Sequence, residues 1–129
     1  MESNKMNPVG WFEIYVENMD RAAAFYEQVL GLKSEPLPTP EGHDMEMRAL
    51  PGEMQFPGAS GALVRMQDMK GGSGGTIIYF ATEDCAVPEA KVEAAGGKVC
   101  QAKMPIGEYG FCSIVTDSEG NTIGFHSMK

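Results

Sequence analysis

Glu13 and Tyr15 lie two positions apart in VGWFEIYV, residues 9–16, and Trp11 precedes them at the same interval. Side chains so spaced share one face of an extended strand. An acid, a phenol and an indole would therefore meet one ligand together. Glu46 and Arg48 in MEMRA, Tyr79 in TIIYFA, Cys112 in FCSIVT and His126 in TIGFHS complete the set expected to line a binding surface. Two kinds of chemistry are open to such a set. Trp and Tyr beside a carboxylate favour a planar or cationic molecule. A Glu in a partly apolar cavity can instead serve as a base, with a Tyr or His as partner.

Each residue also has a plainer reading. Glu13 would pair with Arg48 as a structural ion pair, Tyr15 and Tyr79 would pack as ordinary strand residues, and Glu46 and Arg48 would form the wet side of a strand. His126 would be exposed by its nearness to the chain end, and His43 would be a loop histidine. Acyl transfer has no support: G-x-S-x-G is missing, and Cys112 has no evident His partner in sequence.

Strands and helices must hold these groups, and the pattern supplies them. In residues 9–16, Phe12, Ile14 and Val16 alternate with Trp11, Glu13 and Tyr15, which predicts a strand with one face toward a helix. A helix is predicted over 20–30, with Met19, Ala22, Ala23, Tyr26, Val29 and Leu30 as its apolar stripe, Asn18 or Asp20 as cap and Gly31 as stop. Extended segments follow at 33–37, 43–50 and 61–66. GGSGG, residues 71–75, reads as a flexible link; it is no phosphate loop, because it leads into a strand and lacks a following Lys-Ser/Thr. The order then recurs, with a strand at 76–82, a helix at 87–95 ending in Gly96-Gly97, and strands at 98–103, 109–116 and 122–127. A shift of about 66 residues lays Val16-Glu17-Asn18 on Thr82-Glu83-Asp84, so the chain reads as internally duplicated.

This pattern assigns faces. Met45, Met47 and Ala49 are expected to pack on the first helix, turning Glu46 and Arg48 toward a cavity. By the repeat, Ile77, Tyr79, Ala81, Cys112 and Ile114 face it too. Ile123 and Phe125 pack outward, leaving Thr122, Gly124 and His126 inside, with Gly124 making room.

The chain has 129 residues, with 43% hydrophobic and 22% charged side chains, enough for one respectable core. Its formal charge of −8 repels phosphate backbones and anionic lipid, so neither nucleic acid nor a membrane is an expected partner. No apolar run reaches a membrane span, and MESNK lacks a signal-peptide core; the expected location is the cytoplasm. Cys85, Cys100 and Cys112 show no C-x-x-C spacing and read as reduced thiols. Ten Met residues suit an irregular core or an adaptable pocket.

Two β-α-β-β-β modules, about 8–68 and 75–128, form a single expected domain over residues 1–129. With FEIYVENMDRAAAFYEQVLGL and the ending GFCSIVTDSEGNTIGFHS, they resemble the vicinal oxygen chelate superfamily, which includes glyoxalase I, extradiol dioxygenases and bleomycin-resistance proteins. The resemblance implies an α+β fold, a curved mixed sheet round a cavity with helices outside, and a homodimer. It also implies a divalent metal held by four side chains. Those positions fall on Trp11, Ile77, Gly124 and the strand around 62–64, none of which offers a donor; an indole N–H only donates. The expected function is therefore binding of a small aromatic or cationic molecule, with no metal or other cofactor. The alternative is a metal-dependent lyase or isomerase of the glyoxalase type, or a dioxygenase, drawing on Glu13, Glu46 or His126.

Overall fold

A computed structural model describes residues 7–39, 42, 44–52, 57–69, 71–72 and 74–129. His43 and Ser73, in the expected loop and link, lie outside the described residues. In chain order the elements are β1 Val9–Tyr15, α1 Met19–Leu30, β2 Glu35–Leu37, β3 Met45–Ala49, β4 Ser60–Met66, β5 Thr76–Ala81, α2 Ala86–Glu89, β6 Lys98–Pro105, β7 Phe111–Thr116 and β8 Thr122–Ser127. This is β-α-β-β-β twice, an α+β fold with mixed strand pairing. Among the described residues no helix is long and apolar enough to cross a membrane. The chain divides into two compact units: Phe12–Thr76, termed the α1 unit, and the residues up to Trp11 with Ile77–Lys129, termed the α2 unit.

In the α1 unit the strands lie in the order β2-β3-β4-β1. α1 starts where Asn18 Oδ1 accepts the Arg21 N–H at 3.0 Å and ends at Gly31 in the left-handed conformation, φ 67°. Both are standard ways to satisfy the unpaired groups at helix ends. The core beneath the helix is Met19, Ala23 and Leu63, with Ile14, Val16, Ala22, Tyr26 and Leu50 packed on it. The predicted stripe therefore holds for its first two turns and fails in the last: Val29 is 62% and Leu30 57% exposed.

The α2 unit has the order β5-β8-β7-β6, the same topology as the first. β5 runs parallel to β8, and β8, β7 and β6 are antiparallel. The Cys85 N–H, just before α2, donates to Ser127 Oγ at 3.0 Å, so the face bearing Phe125 and Ser127 is the one toward α2. Buried Ser113 shares that face, and its Oγ has no hydrogen-bond partner among the described residues. At the β7–β8 turn, Asp117 accepts from the N–H groups of Glu119 and Asn121 and from the Asn121 amide.

α2 is much shorter than predicted. After Glu89 the chain continues in tight turns, with Lys91, Val92 and Gly96 N–H groups reaching carbonyls only three residues back. The segment offers Val92 as its one large apolar residue after Val87, which is 56% exposed, so a full-length helix would bury no stripe. β7 likewise begins at Phe111, because Gly107–Tyr109 forms a 3₁₀ turn.

Candidate functional site

The α1 unit carries a buried acid–phenol pair. Glu13 and Tyr15 are both buried, and the Tyr15 hydroxyl donates to Glu13 Oε1 at 2.6 Å. They sit on the face of β1 opposite Ile14 and Val16, which pack toward α1. The expected alternation in β1 is thus what the structure has.

β3 is turned over relative to expectation. Its register pairs Arg48 with Leu63 and Glu46 with Arg65, whereas Met45, Met47 and Ala49 pair with Met66, Val64 and Ala62. Paired residues of neighbouring strands point to the same side, and Leu63 belongs to the core under α1. Glu46 and Arg48 therefore lie on the α1 side, while the methionines share the face of Glu13 and Tyr15. The partners agree. Arg48 donates from Nε to Ser34 Oγ and from Nη2 to Ser34 O, both at 2.8 Å, and Glu46 meets Arg65 at 3.4 Å. An ion pair of Glu13 with Arg48 is thereby ruled out.

Ser34, fully enclosed at the exit from α1, also donates its hydroxyl and N–H to Glu27 Oε2 at 2.7 and 3.0 Å. The Ser34 hydroxyl, then its N–H, hold the Glu27 carboxyl below its ordinary value of 4.5, with Arg48 and Lys33 adding to the effect against partial desolvation. A carboxyl depressed in the folded state contributes stability that is present above its unfolded value and lost as pH falls through the folded one. The melting temperature should accordingly drop as pH is lowered below 4.5. Glu27→Gln should make that drop shallower, as thermal melts over a pH series will read.

On the face of Glu13 the strand residues are Tyr15, Leu37, Met45, Met47, Met66, Ala49, Ala62, Val64 and Glu35, following the registers of β2, β3 and β4. Its charged members are Glu13 and Glu35, both acidic. Ala62 and Val64 are fully buried, and Met45 and Met47 are half-exposed. This face is largely buried, apolar and adaptable, with the Glu13 carboxyl set into it. Elsewhere in this unit a shallow depression of about 260 Å³ is lined by Glu17, Arg65, Met66, Gln67 and Met69. Its guanidinium is already engaged by Asp44 and Glu46.

In the α2 unit, Tyr79 is buried on β5 and stands beside Gly124 of β8. A Cβ built on Gly124 would lie 2.4 Å from Tyr79 Cδ2. The room expected at Gly124 is taken by the Tyr79 ring. Cys112 lies directly across from His126 in the β7–β8 register, on the face away from α2. His126 Nε2 is 2.6 Å from the Tyr109 carbonyl oxygen. Trp11 is half-buried at the other end of this unit's sequence.

At the positions where the resemblance implies a metal, the side chains offer no donors. Trp11 has no lone pair to offer, Ile77 is a buried aliphatic residue, and Ala62, Leu63 and Val64 are fully buried and apolar. Gly124 has no side chain, and a carboxylate grafted there would run into Tyr79. Among the described residues no three His, Cys, Asp or Glu side chains converge as a metal would require. Among Trp11, Ala62, Leu63, Val64, Ile77 and Gly124, no side chain carries a lone pair suited to a divalent metal.

The sequence model of the Glyoxalase/Bleomycin resistance protein/Dioxygenase superfamily matches residues 9–125. The chain belongs to that superfamily. It is 27% identical over 117 residues to "Putative glyoxylase CFP32" of Mycobacterium bovis and of Mycobacterium tuberculosis, a match covering 91% of this chain and 42% of those proteins. The chain thus spans less than half the length of these superfamily relatives. Among solved structures it resembles a variant of Streptomyces coelicolor methylmalonyl-CoA epimerase in complex with 2-nitronate-propionyl-CoA, with TM-score 0.71, 16% identity and coverage of 95% and 97% of the two chains. Methylmalonyl-CoA epimerase from Mycobacterium tuberculosis gives TM-score 0.68 at 13% identity, covering 95% and 88%. At such identities the likeness is one of fold.

Proposed function

We propose that this superfamily member is a metal-independent small-molecule-binding protein of the cytoplasm, active as a homodimer, whose ligand is a planar or apolar cation. The observation that carries this reading is the Glu13–Tyr15 pair, an acid with its own phenol donor, set in the methionine-rich face of the α1 unit. Both arginines of β3 and β4 point to the opposite face, toward α1. A cation that enters this buried face meets carboxylates and polarisable side chains, and among the described strand residues of the α1 unit no positive side chain shares it. An acyl-CoA such as the one in the epimerase complex carries phosphates, which an acidic face disfavours.

The metal-dependent alternative needs donors such as Glu13, Glu46 or His126. Glu46 now faces α1 in company with Arg65, away from the face of Glu13. The test is thermal denaturation with a panel of planar cations alongside neutral and acyl-CoA compounds. Saturation at a hundredfold excess over Kd adds about 3 kcal/mol, enough to raise the melting temperature by several degrees. A shift for the cations alone supports the reading. No shift with any cation, or a shift only with acyl-CoA, overturns it.

A further inference from the structure

We propose that Cys112 and His126 form a nucleophile–base pair that takes up soft carbon electrophiles. This site lies wholly in the α2 unit and is independent of the reading given for the face of Glu13. Sequence separates the two residues by the β7–β8 turn, but the register sets them directly opposite each other, where cross-strand Cβ atoms stand about 4.5–5.5 Å apart. His126 is anchored by a third group. A carbonyl oxygen only accepts, so the 2.6 Å contact with Tyr109 O places the ring proton on Nε2. In the neutral ring Nδ1 is then the proton acceptor. A thiol, an imidazole beside it and a group fixing the imidazole's tautomer are the parts of an activated nucleophile.

The surroundings suit a small apolar reactant. Met104, Cys112, His126 and Ala81 are successive neighbours across β6, β7, β8 and β5 on one face. Ala81 carries only a methyl group beside the imidazole. Met104 is 38%, Tyr109 50% and Met128 66% exposed, so the end of the sheet near Cys112 presents thioether and aromatic surface to solvent. With a conjugated carbonyl compound the step balances without any co-reactant. The Cys112 sulfur bonds to the β-carbon, the carbon–carbon π pair shifts toward the carbonyl, and the thiol proton passes through His126 Nδ1 to the α-carbon.

Acrylamide is the probe, and peptide mass spectrometry after timed exposure at pH 7 is the readout. Cys100, exposed on β6, is the internal reference. A free thiol is only a few per cent thiolate at that pH, so Cys112, although half-buried, should react about tenfold faster than Cys100. His126→Gln retains an N–H for the Tyr109 carbonyl and lacks a base. It should bring Cys112 down to the rate of Cys100 and leave Cys100 unchanged. If Cys112 in the unaltered protein reacts no faster than Cys100, the proposal fails, and that result needs no variant. It fails equally if folded His126→Gln keeps the fast Cys112 rate.

Discussion

Gly124→Ala should destabilise the protein by about 3 kcal/mol, at the top of the usual cost of overpacking a core by one carbon. The added Cβ would stand 2.4 Å from Cδ2 and 2.5 Å from Cε2 of Tyr79, and 3.2 Å from its Cγ. A ring cannot yield as the far end of a flexible chain does, and Tyr79 is 7% exposed in a strand whose register with β8 is fixed at this very pair. Tyr79→Ala alone should cost about 3–5 kcal/mol by analogy with other buried aromatics. With both changes the two losses should fall short of their sum by about 1–3 kcal/mol, because the methyl then occupies space that the ring has vacated. Urea unfolding of the four proteins measures this. Strict additivity would mean that the ring does not fill the place of the missing side chain, and the account of why no carboxylate fits there would fall.

The same pair shows what was readable from the letters and what was not. Alternation puts Gly124, and the repeat puts Tyr79, on one face, and in the structure both lie on the face away from α2. That they occupy one another's space follows only from the parallel pairing of β5 and β8, which no local pattern encodes. β1 was legible because one of its faces is mixed and the other aliphatic. β3 was not. MEMRA alternates cleanly, and the usual inference sends its methionines toward the helix. Both faces of this sheet are apolar, however: β4 is buried on either side through Ala62, Leu63 and Val64, so alternation gives the period without the direction. The 66-residue shift misled in the same place. It maps Glu46 onto Cys112, yet Glu46 faces α1 and Cys112 faces away from α2. The Cys112–His126 neighbourhood was invisible for the reason that Gly124–Tyr79 was, since a hairpin register joined them.

The reversal of β3 has its strongest consequence in a pair of substitutions expected to behave oppositely. Arg48→Ala should lower stability by about 2–3 kcal/mol, since it removes two charge-assisted bonds to a residue that has no water to replace them. Ser34 is 2% exposed, and its hydroxyl and carbonyl both accept from the guanidinium at 2.8 Å. Arg48→Ala should nonetheless leave the affinity for a planar cation unchanged, because the side chain is on the far side of the sheet from Glu13. Glu13→Gln should do the reverse. The Tyr15 hydroxyl can still donate to an amide oxygen, so the loss of stability should stay below about 1 kcal/mol. The negative charge is gone, and cation affinity should fall by at least about tenfold. Urea melts and calorimetric titrations of the two variants, with whichever cation gives the largest thermal shift, separate these effects. Should Arg48→Ala change affinity while Glu13→Gln does not, the acidic methionine face is not where the ligand sits, and the proposed function loses the observation on which it stands.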